Sequence, residues 1–158
     1  MTVKPEFFYS LVSAAGLRNM KYFLCFLIML LVGCEQNSDM NLINTSNIIE
    51  KLDHLKSRQK FEGGESVFYP GAPSEEIRVI AQSAINELIS NLIAAPEEEL
   101  NHEYVFSKFQ EAASAFQSMD SEELERGLEY MEEIMEIYGI ESSNGLLNNL
   151  RYGFDPEQ

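Results

Sequence analysis

The chain is expected to be all-α, a compact bundle of four amphipathic helices with a short C-terminal helix. Three observations predict this class. Four stretches after residue 46 place apolar residues at steps of three and four, the spacing that lines one face of a helix. Gly- and Pro-bearing segments separate them. No stretch sustains the apolar–polar alternation, bounded by turn residues, that a half-buried strand needs. Helices with one apolar face must bury it against one another, and a bundle results.

The first helix is expected in "SNIIEKLDHLKSRQKF", where Ile48, Ile49, Leu52 and Leu55 share a face and Ser46 can cap. "EGGES" breaks that pattern, and "VFYPGAP" reads as an aromatic connection. Ser74 can cap the second helix, with Glu75 and Glu76 near its N-terminal dipole. Its wide stripe of Ile77, Ile80, Ala81, Ala84, Ile85, Leu88, Ile89, Leu92 and Ile93 makes it the expected central helix. Pro96 followed by Glu97, Glu98 and Glu99 signals the start of a third helix, with Val105, Phe109, Ala112, Phe116 and Met119 inward. Asp120 and Glu123 form an expected capping box for the fourth. Leu124, Leu128, Met131, Met135 and Tyr138 line its inner face, and Gly139 ends it. "SSNGLLNNLRY" makes the last short helix, stopping at Gly153.

The N-terminus has a different logic. From Met20, one basic residue, Lys21, precedes eleven apolar residues from Tyr22 to Val32, then Gly33 and Cys34. That run is shorter than the ~20 residues that span a bilayer, but fits the core of a secretion signal. Leu31-Val32-Gly33-Cys34 resembles the lipobox of bacterial lipoproteins. The resemblance implies that residues 20–33 are a signal peptide and that Cys34 is acylated and becomes the first residue. It also implies that Glu35, where Asp would favour the inner membrane, leans toward the outer membrane, with the domain facing the periplasm. Residues 1–19 fit poorly before a signal, so translation is expected to start at Met20. A long basic leader carrying Lys4, Arg18 and Lys21 is the alternative.

Residues 34–46 then read as acylated cysteine plus tether, reaching at most ~40 Å extended and about 20 Å as flexible coil. Residues 47–158 form the helical domain. From Cys34 onward there are 8 Lys and Arg against 25 Asp and Glu, a net of −17. Such a charge argues against nucleic acid and against adsorption to anionic lipid, both of which need clustered Lys and Arg. The two cysteines, Cys25 and Cys34, both lie in the N-terminal segment, so the domain carries no disulfide framework.

Candidate sites are few. Glu122, Glu125, Glu129, Glu132, Glu133 and Glu136 surround the outer side of the fourth helix, an array that could meet a hard cation but reads more simply as a solvated acidic face. His54 and His102 belong to no spaced ligand set and are expected on the surface. No nucleophile elbow, phosphate loop or dinucleotide fingerprint occurs, so no cofactor, metal or catalytic residue is expected. Phe68, Tyr69, Arg151, Tyr152 and Phe154 are the candidate partner-binding residues, since exposed aromatics and Arg anchor interfaces. Their structural alternative is docking of the two aromatic tracts into the bundle.

"FYPG", an acidic amphipathic helix, and "ESSNGLLNNLRYGFDP" together resemble an uncharacterised family of small bacterial helical domains, over about residues 47–156. The resemblance implies one domain and brings no activity or catalytic residues. The expected role is a lipid-anchored envelope protein that binds a basic protein partner, in an inhibitor-like or immunity-like manner. A structural or assembly lipoprotein acting through its aromatic end is the alternative, and a carboxylate-based enzyme the third reading.

Overall fold

A computed structural model describes residues 41–64 and 69–154. The expected signal segment, the Leu31–Cys34 motif and Phe68 therefore lie outside the described residues. Five helices and no strand occur among those described: α1 (Ser46–Ser57), α2 (Glu75–Ile93), α3 (His102–Ser114), α4 (Ser121–Tyr138) and α5 (Leu146–Tyr152). The expected all-α bundle with a short last helix is what forms.

The chain enters through a strap that the sequence reading assigned to the tether. Leu42 donates its amide to the Leu100 carbonyl at 2.8 Å and buries its side chain, while Asn41 bridges to Asn101. Asn44 donates from Nδ2 to the Leu92 and Ile93 carbonyls at 2.9 and 3.3 Å, and its Oδ1 accepts from the Tyr138 hydroxyl at 2.8 Å. One side chain thus bonds two carbonyls in the last turn of α2 and ties in the end of α4. The N-cap of α1 is Thr45, not Ser46, because its hydroxyl accepts from the Ile48 amide.

α1 stops at Ser57, four residues before the expected Phe61. There Lys60 folds back, donating from Nζ to the carbonyls of Lys56 and Arg58 at 3.0 Å each. The turn drives Phe61 into the core with φ +59°, a conformation that costs an ordinary residue ~1–3 kcal/mol. Its ring packs against Tyr69, Phe116 and Tyr130, which offsets that strain. The connection closes at its base, where the Ala72 amide donates to the Phe61 carbonyl. Gly63 is required there, since a Cβ would lie 2.2 Å from the Pro70 oxygen.

α2 is capped by Ser74 as expected, and buries Ala81, Ile85, Leu88, Ile89 and Leu92. It packs on α1, α3 and α4, while α4 packs on all four other helices, so the centre is shared between the two. Ile80 does not share the buried face. It is 45% exposed, beside Val79 at 47%, in the second turn of the helix.

Pro96–Glu99 is a turn rather than the start of α3, with the Glu99 and Leu100 amides both donating to the Pro96 carbonyl. The helix starts at His102, capped by Asn101 Oδ1 on the Tyr104 amide at 2.9 Å. Burying Leu100 requires that extra turn before the chain enters α3. Phe116 lies past the end of α3, seated against Gly127 of α4, where a Cβ would fall 2.9 Å from its ring. α4 ends at Gly139 with φ +72°, and α5 at Gly153 with φ +76°, both as expected.

Asn44 and Asn101 place the C-termini of α2 and α4 and the N-terminus of α3 at one end of the bundle, with the strap. α1 and α3 run away from that end, and α2 and α4 return to it.

Candidate functional site

Of the six outer carboxylates on α4, Glu122, Glu129, Glu132 and Glu136 are exposed and Glu125 and Glu133 half-buried. They are not a bare field. Arg58 pairs with Glu133 at 2.5 Å, Arg126 pairs with Glu129, and Arg151 spans to Glu125 at 2.9 Å and Glu132 at 3.4 Å. Each cation comes from a different place: the end of α1, α4 itself, and α5. The acidic helix is therefore laced to its neighbours while a surplus of negative charge remains outside. Among the described residues no group of three or more His, Cys, Asp or Glu side chains is arranged to hold a metal ion.

Arg151 is the hinge of the C-terminal candidates. Its guanidinium is mostly buried under α4 and lies over the Tyr152 ring at 5.8 Å. Leu147 docks in the core and holds α5 in place. The two aromatics that follow remain outside, Tyr152 55% and Phe154 61% exposed, with ring centroids 6.3 Å apart. Arg151, Tyr152 and Phe154 thus come together at one edge of the α4 face.

Tyr69 does not join them. It is only 7% exposed, and its hydroxyl donates to Glu123 Oε1 at 2.9 Å. The expectation of an exposed anchor at Tyr69 gives way to a buried polar contact. Burial and the bond to Glu123 hold its phenol well above the usual range. The Asp120–Glu123 capping box fails for the same reason. Asp120 makes no side-chain cap, and Glu123, 2% exposed, turns into the bundle instead. Its second oxygen, Oε2, has no hydrogen-bond partner. A signal for this was present in the sequence: Glu123, Gly127, Tyr130 and Ile134 follow helical steps of four, three and four, and all four are buried.

Lys60 is the other buried charge the sequence reading missed. It is fully enclosed, with Nζ 6.0 Å from the centre of the Tyr130 ring. Burial, with Arg58 adding and Glu133 opposing, lowers its ammonium to about 8. Its two bonds to the carbonyls that end α1 give it a structural task.

The histidines lie near two shallow grooves. One, about 560 Å³, runs between α1 and α4 past Glu50, His54, Glu133 and Glu136. The other, about 460 Å³, is lined by His102, Glu103, Phe106, Ser143 and Asn144. Neither pairs a nucleophile with a base in hydrogen-bond reach.

A family model described as "Domain of unknown function (DUF4844)" matches residues 43–155. No curated protein and no solved structure matches the chain. The match starts inside the strap and takes in all five helices.

Proposed function

The chain belongs to the DUF4844 family, a domain of unknown function, and on that premise we propose that it is a lipid-anchored envelope protein that binds a basic protein. Acylated Cys34 would hold it in the outer membrane facing the periplasm, with Leu31, Val32 and Gly33 as the recognition approach. Support for the anchor is the ordered sequence of basic residue, apolar run, small residue and cysteine. More than one acyl chain makes such attachment lasting.

The observation that carries the binding role is the exposed Tyr152–Phe154 pair beside the Arg151-braced acidic face of α4. Aromatics supply contact area at low entropic cost, and a surplus of one charge speeds encounter with the opposite one. An inhibitor or immunity-like role against a basic toxin or envelope hydrolase is one concrete form. The test is a pull-down from solubilised envelopes at low and high salt, with wild type and a Tyr152→Ser/Phe154→Ser variant. The expected result is a basic partner that is weakened by salt and lost in the double variant. Capture unaffected by either change contradicts the reading.

The exposed aromatic pair also favours a second reading, an assembly lipoprotein docking through that edge alone. Capture that survives high salt but fails in the double variant would select it.

A further inference from the structure

The strap is pinned at one end of the bundle. Asn41 is bridged to Asn101, Leu42 is hydrogen-bonded and buried, and Asn44 is bonded to the ends of α2 and α4. The leash is therefore shorter than the 12 residues from Glu35 to Ser46 suggest. Only residues 35–40 separate Cys34 from the first pinned residue, so covalent reach alone keeps Cys34 within ~25 Å of Asn41. α2 has 19 residues and spans about 28 Å from the strap end to the far end. The leash is shorter than the bundle is long.

One feature of the strap end matches a bilayer interface: Ile43 is 55% exposed there, an aliphatic side chain close in sequence to Cys34. The Pro96–Glu99 turn at the same end carries three exposed carboxylates, so the surface this end can face is zwitterionic rather than anionic. The α4 flank, carrying Glu122, Glu129, Glu132 and Glu136, disfavours lying on that side.

We infer that the strap end, with Ile43 at its tip, is the membrane-facing surface, and that the far end is presented to the periplasm. This rests on the acylation of Cys34. The far end holds the N-termini of α2 and α4, where Val79 and Ile80 are exposed. Arg151, bonded to Glu125 near the start of α4, places the Tyr152–Phe154 pair in the far half as well. Among the described residues, the large apolar side chains left outside other than Ile43 are thus those a periplasmic partner meets first.

The chain contains no Trp, so a single introduced indole reports cleanly. Ile43→Trp and Ile80→Trp, both at exposed positions, are made separately in the full chain, acylated in cells and reconstituted in phosphatidylcholine vesicles with nitroxide-labelled headgroups. The expected result is quenching severalfold stronger at position 43 than at position 80. Proteins that float with the vesicles but show equal quenching, or stronger quenching at position 80, overturn the orientation alone. Proteins that fail to float overturn the anchor, and the orientation with it.

Discussion

Tyr69 and Glu123 show how one buried pair can hold a long connection. The carboxylate has one oxygen on the tyrosine hydroxyl and the other without a partner, so removing the donor leaves both uncompensated. Tyr69→Phe should cost ~1–3 kcal/mol in urea unfolding. Glu123→Gln, which keeps an acceptor for the hydroxyl, should cost less. Gly127 makes a second test. Alanine there gains about 1 kcal/mol of helix propensity, but its methyl meets the Phe116 ring, and overpacking costs ~1–3 kcal/mol. Gly127→Ala should therefore lower the thermal midpoint rather than raise it. Lys60 predicts a pH effect. Its ammonium is lowered to about 8 in the fold from an ordinary 10.5. Between those values the unfolded chain keeps a proton that the native protein has released, so stability rises with pH across that window. Lys60→Met should flatten the rise. Above it, Tyr138, raised by burial to about 12, acts the other way, because the native state keeps its proton longer than the unfolded one. The inward face carrying Tyr138 was legible, but Glu123 was expected to form a capping box with Asp120, and Lys60 carried no expectation. Only the stripe through Gly127, Tyr130 and Ile134 hinted that Glu123 is buried.

Helix existence was legible, while helix ends were legible only where a side chain had one available task. Ser74, Gly139 and Gly153 act as expected because a hydroxyl at an N-terminus and a left-handed glycine at a C-terminus have few competing uses. Pro96–Glu99 had the composition of a helix start, but burial of Leu100 and capping by Asn101 outweighed it. The strap was invisible for a related reason. "NLINTS" has no period, and its order comes from bonds to residues about 50 positions away, which no local pattern encodes. Asn44→Ala tests the strap as an element. It removes both donor contacts to the end of α2 and the acceptor for Tyr138, and should cost ~1–3 kcal/mol. Hydrogen exchange at the Leu42 amide, bonded to the Leu100 carbonyl, should rise in the variant. Unchanged protection there would mean that Leu42 holds the strap without Asn44.

At the scale of the whole molecule, charge is the dominant property. With 8 cationic against 25 anionic side chains from Cys34 onward, self-repulsion opposes the compact state even after the Arg58, Arg126 and Arg151 pairs are made. Raising salt from about 0.01 M to about 0.5 M shortens the screening length and should raise the thermal midpoint. The same surplus disfavours contact with anionic lipid, so the proposed membrane attachment would rest on acylation of Cys34. Among the described residues no helix is long and apolar enough to cross a bilayer. Metabolic labelling with palmitate, followed by membrane fractionation of wild type and Cys34→Ser, tests the anchor most directly. The expected result is label on the wild-type protein only, with the serine variant released from membranes. A wild-type protein without label, or a serine variant that stays in the membrane fraction, would contradict the account.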